Sequence, residues 1–214
     1  MNIIKLCFGC IIFSILFSCS QDDECSPPIS EYDIIDIVSQ VSKSSTIPDG
    51  ITPLSTSILS TGESVDWNEF VIELTSIKHF LSSIDKDRPR SFDLSLISKA
   101  YACSGIPPFT KEKIASINII SNYDYSAALP AGSSLNEVFD VVWNNLEFRR
   151  NSNTGEIIPY NLDEFNELTP TAGNLIQVRL NQAPTLSFNH EFIIEYTHVD
   201  GESFSLLTPL VTFN

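Results

Sequence analysis

The side chains able to do chemistry are few and scattered. Three histidines, His79, His190 and His198, occur in 214 residues. None stands in an H-E-x-x-H arrangement and no pair has zinc-finger spacing. No G-x-S-x-G, P-loop or G-x-G-x-x-G occurs either. Ser83-Ile84-Asp85-Lys86 matches S-x-x-K, but the K-T-G partner is missing and a turn before Pro89 accounts for it. Asp85-x-Asp87 and Asp163-Glu164 offer oxygen ligands without the ligand density of a calcium loop. The remaining carboxylates are dispersed, as surface solubility demands, and no glycosidase pair stands out. Trp67 and Trp143 could stack on a sugar ring, although tryptophans are often simply packed against a core. The expectation is no catalytic residue, no bound metal and no cofactor.

Charge narrows the partners. The formal net charge is −15, and removing a leader that contains Lys5 would take it to −16. Binding a nucleic-acid backbone needs Lys and Arg to displace counterions, so nucleic acid is excluded as the expected partner. Hydrophobic residues at 43% against charged residues at 18% argue for a packed core rather than disorder.

Residues 1–18 read as a removable signal peptide. Lys5 precedes an apolar run from Leu6 to Phe17, the length of a signal core and too short to span a bilayer comfortably. The run ends in Leu16-Phe17-Ser18-Cys19, which resembles a bacterial lipobox, with Phe17 bulkier than the usual residue there. The resemblance implies a diacylglycerol on the Cys19 thiol and membrane attachment through that lipid. An ordinary secretory signal cut near Ser18 or Ser20 is the alternative. Residues 19–30 form a tether. Within it Gln21, Asp22, Asp23 and Glu24 resemble the acidic export signal that Bacteroidetes lipoproteins carry after the acylated cysteine. The implied location is the outer membrane, facing outward.

Of five cysteines, Cys7 and Cys10 would leave with the signal and Cys19 would take lipid. Cys25 and Cys103 remain. Their separation fits no metal motif, and a disulfide is the natural reading for an exported chain. Two free thiols, with Cys103 buried, are the alternative.

Residues 31–214 read as a single β-rich domain. Strands are expected over Tyr32–Val41, near Ile58, over Phe92–Cys103, over Ile114–Ser121 with Ile117 and Ile119 on one face, and over Leu175–Leu180 with Val178 and Leu180 opposed to Gln177 and Arg179. Trp67–Leu81 alternates like a strand and also fits a helix. Ser134-Leu135-Asn136-Glu137 has capping-box spacing for a short helix including Val138 and Phe139, and Asn161–Leu168 suggests another helical turn. His190–Phe213 reads as a hairpin. A three-residue loop, Val199-Asp200-Gly201, pairs Tyr196 with Phe204, Ile194 with Leu206 and Phe192 with Thr208. That register makes one face nearly all apolar and puts Gly201 at the left-handed position.

Six to nine strands and few helices predict an all-β antiparallel sandwich, the immunoglobulin domain being one form of it, with one or two short helices. The alternative is a two-layer α+β fold if Trp67–Leu81 is helical. Ala100-Tyr101-Ala102-Cys103, Pro107-Pro108, Lys113–Ile117 and Pro130–Phe139 together resemble a domain-of-unknown-function family of small Bacteroidetes outer-membrane lipoproteins. The resemblance implies export and cysteine pairing and brings no catalytic residue. The expected protein is a non-enzymatic binding or accessory module for a glycan or an envelope protein. A structural subunit of an envelope assembly, with no ligand of its own, is the alternative.

Overall fold

The computed structural model describes residues 31–46, 48, 52–60, 62–81, 109–144, 149–155 and 157–214. The signal, the tether, Cys25, Cys103 and the Phe92–Cys103 strand lie outside the described residues.

In chain order the strands are β1 (Tyr32–Lys43), β2 (Ser57–Ile58), β3 (Ser64–Val65), β4 (Phe70–Phe80), β5 (Ile114–Ser121), β6 (Phe139–Trp143), β7 (Arg149–Arg150), β8 (Ile157–Ile158) and β9 (Tyr160–Asn161). After helix α1 (Leu162–Glu167) come β10 (Leu175–Leu180), β11 (Asn189–His190), β12 (Phe192–His198), β13 (Ser203–Leu207) and β14 (Val211–Phe213). Six strands form one sheet in the order β2-β1-β4-β10-β6-β9. A second sheet, β13-β12-β5, and a third, β11-β14-β3, complete the main body. Among these strands pairing is antiparallel except between β14 and β3. The fold is all-β and sandwich-like.

The sheets meet through one core. Ile37, Ile72, Val178 and Val141 from the large sheet share it with Ile117, Ile119, Phe192 and Ile194 from the second. Phe192 is the hinge of this packing, with its ring 5.5 Å from Phe70 and 5.7 Å from Phe139. Phe213 brings in the third sheet by meeting Phe70 edge-on at 5.2 Å.

The Trp67–Leu81 ambiguity resolves as a single 3-10 turn, Trp67–Glu69, followed by the long strand β4. The helical alternative, and the α+β fold that rested on it, are therefore corrected. Val71, Ile72 and Leu74 are all buried because β4 is central and covered on both sides. The helical-looking spacing came from that two-sided burial.

The hairpin has the register that the buried face demands. Tyr196 pairs with Phe204 and Ile194 with Leu206. His198 N donates to Glu202 O at 2.8 Å, enclosing Val199, Asp200 and Gly201, and Gly201 has φ +97.

Ser134 does not cap a helix. Asn136–Val138 is one 3-10 turn without a side-chain cap, and Phe139 already begins β6. The free edge of β5 outcompetes the cap. Asn136 accepts from Ile119 N at 3.0 Å and donates to Ile117 O at 3.0 Å, and Asn166 donates to the same carbonyl while accepting from Ile117 N. Two side-chain amides thus stand where another strand would pair. The capping box forms instead at α1, where Asn161 Oδ1 accepts from Glu164 N at 2.9 Å and Glu164 returns the bond.

Candidate functional site

β6 and β10 run antiparallel, with Asp140 opposite Arg179. The register slips between Gln177 and Val178, so β6 carries one extra residue there. Beside this irregular pairing the Trp67 turn, the β8–β9 corner and Pro48 rise around a cleft of about 380 Å³. Its walls are Pro48, Trp67, Asn68, Asp140, Val142, Ile157, Pro159, Arg179, Leu180 and Asn181.

Asp140, Arg179 and Asn181 are each held. Asn181 Nδ2 donates to Asp140 Oδ1 at 2.8 Å and to Glu137 O at 3.2 Å. Arg179 Nη1 donates to Thr46 O at 3.0 Å, anchoring the guanidinium beside the loop that carries Pro48. Trp67 packs partly on the main core, so its ring is fixed on one side and available on the other. Burial raises the Asp140 carboxyl above its ordinary value, and the Glu164 charge adds to this; the Asn181 amide opposes both. Burial lowers the Arg179 guanidinium, against the pull of Glu69.

Chemically this is an aromatic face with a carboxylate, a guanidinium and two amides around it. Asp140 is the single carboxylate among the described lining residues, and no histidine or cysteine joins it. Acid–base hydrolysis of a glycoside needs two carboxyl groups, whereas recognition of hydroxyls needs donors and acceptors beside a flat apolar surface.

The sequence-derived residues separate cleanly. Trp67 lines the cleft. Trp143 does not: it is half-buried opposite Gln177, so the two tryptophans form no common platform. Asp163 accepts from Asn136 Nδ2 at 2.9 Å and Glu164 caps α1, so this pair is engaged structurally. His79 is exposed on β4, and His190 is fully buried. Cys19, Gln21, Asp22, Asp23, Glu24, Cys25 and Cys103 lie outside the described residues. Sequence reasoning missed Asp140, Arg179 and Asn181. No local motif marks them, because only the β6–β10 pairing brings them together.

No protein-family model matches the chain, and no curated protein matches it. Among the described residues no helix is long and apolar enough to cross a membrane.

Proposed function

We propose that the protein is a non-enzymatic, lipid-anchored lipoprotein of the outer membrane that holds a saccharide in the Trp67 cleft. The observation that carries the reading is the cleft itself: Trp67 beside Asp140, Arg179 and Asn181, with a single carboxylate among the described lining residues. A sugar ring would lay its C–H face on the indole while its hydroxyls replace water on the guanidinium, carboxylate and amides. A neutral saccharide suits a chain of net charge −15 better than an acidic one. The anchor follows from the lipobox-like Leu16-Phe17-Ser18-Cys19, and outward display from Gln21–Glu24.

A glycan array probed with the wild-type chain and with Trp67→Ala tests the binding reading. Neutral oligosaccharides should be retained by the wild type and lost with the variant. An array with no retained glycan, or equal retention by both proteins, would overturn it. The second reading, a ligand-free subunit of an envelope assembly, has support in Ile35 and Phe80, which are 56% and 53% exposed along β1 and β4.

A further inference from the structure

At the far end of the second sheet the hairpin brings two potential metal ligands together. His198 ends β12, Glu202 follows the three-residue loop, and the backbone bond from His198 N to Glu202 O closes the turn. Glu112 reaches the same place from the segment before β5, where Val199 N donates to Lys113 O at 2.9 Å. One ligand atom from each of Glu112, His198 and Glu202 lies within 4.8 Å of the others.

Acidic clusters are common on a chain this negative, so proximity alone decides nothing. His198 supplies the second observation. Its side chain is 1% exposed, yet neither Nδ1 nor Nε2 has a hydrogen-bond partner. Buried imidazole nitrogens are almost always satisfied, because leaving one bare forfeits its hydration with nothing in return. Nδ1 stands 3.7 Å from Glu202 Oε2. That is too long for a hydrogen bond. It is close to the roughly 3.3–3.6 Å between two ligands that each sit about 2.0–2.2 Å from one tetrahedral ion.

The third ligand is already oriented. Glu112 Oε2 accepts from Ile34 N at 2.9 Å and from Thr110 Oγ1 at 3.3 Å, which fixes the carboxylate on its inner side. The nearby Lys111 ammonium is committed to Glu31 at 2.7 Å. Glu202 is 48% exposed, so an ion has a path in from solvent.

We propose that Glu112, His198 and Glu202 bind one divalent transition-metal cation, through an imidazole nitrogen and two carboxylates. The donor set suits zinc or manganese better than calcium, which prefers six to eight oxygens. Solvent fills the remaining positions. The site lies on different elements from the Trp67 cleft and is independent of the saccharide reading.

Titration calorimetry of the full chain with Zn²⁺, repeated with Mn²⁺, tests it. One equivalent should bind, and the exposed-ligand variant Glu202→Gln should weaken that equivalent roughly tenfold or more. His198→Ala should remove it. Because His198 is buried, that variant is first compared with wild type by thermal unfolding in chelator. Nitrogen chemical shifts of the His198 ring, followed through the Zn²⁺ titration, give a readout that survives any folding defect. Binding of neither metal, identical binding by wild type and Glu202→Gln, or an unmoved His198 ring would overturn the proposal.

Discussion

Gln177 on β10 and Glu73 on β4 stand directly opposite each other, and the Gln177 amide donates to Glu73 Oε1 at 2.7 Å. The same amide accepts from Leu54 N at 2.7 Å and donates to Leu54 O at 3.2 Å, so one side chain mimics a strand for the loop that crosses the sheet. Glu73 also accepts from Gln40, Ser42 and Thr56. Gln177→Ala would leave the Leu54 amide and carbonyl unpaired at a site only 1% exposed. The expected loss is about 3 kcal/mol, read from urea unfolding. A loss below about 1 kcal/mol would show that the loop is held by other contacts.

Strand alternation places Gln177 outward with Arg179; the structure buries Gln177. Leu54, Val71 and Val142 form a small core on that outer face, beneath the crossing loop. A central strand covered on both sides loses its polar alternation, and nothing near Gln177 in the chain announces the loop. The hairpin was legible for the opposite reason. Its Tyr196, Ile194 and Phe204 parity and its glycine are local, so only one register buries the apolar face. The helical turn expected over Asn161–Leu168 forms as α1, closed by an Asn161–Glu164 box, while the Ser134–Glu137 spacing forms none, because the edge of β5 claims Asn136. Asp140, Arg179 and Trp67 come from three separate elements, and only the sheet order brings them to one cleft.

Gly201 holds φ +97 with no atom within 4 Å of where a Cβ would sit. Gly201→Ala therefore meets backbone strain alone. It should cost about 1 kcal/mol while keeping the Tyr196–Phe204 pair, which cross-strand NOEs would report. Unchanged stability would contradict the left-handed loop.

His190 is fully buried, with Nε2 2.9 Å from Ser187 O and Nδ1 2.8 Å from Ser121 Oγ. A carbonyl can only accept, so Nε2 carries the proton and Nδ1 accepts from the Ser121 hydroxyl. Burial lowers the imidazole below its ordinary 6.5, against the Ser187 bond that raises it. The unfolded chain then takes its proton first as pH falls. The His190 contribution is complete above about 6.5 and is lost as pH drops through the depressed folded value. Asp140, raised by burial, works in the opposite direction. Urea midpoints at pH 7.5 and 5.5 should fall further for wild type than for His190→Phe. Equal shifts would contradict the buried neutral imidazole.

The proposed lipid anchor makes its own prediction at Cys19. Burial of acyl chains contributes about 0.8 kcal/mol per methylene, far more than three neighbouring carboxylates oppose. Mass spectrometry of the mature chain should find an acylated Cys19 as its first residue. An unmodified start at Ser20 or beyond would remove the anchor.

The saccharide reading is tested most directly by the indole that would bear the sugar. The chain has two tryptophans, so Trp143→Phe leaves Trp67 as the sole indole emitter. Titrating that variant with a neutral oligosaccharide retained on the array should change the Trp67 emission in a saturable way. The Trp67→Phe counterpart, emitting from Trp143 alone, should stay silent. Saturable binding of the same oligosaccharide with Trp67 emission unmoved would contradict the assignment of the cleft.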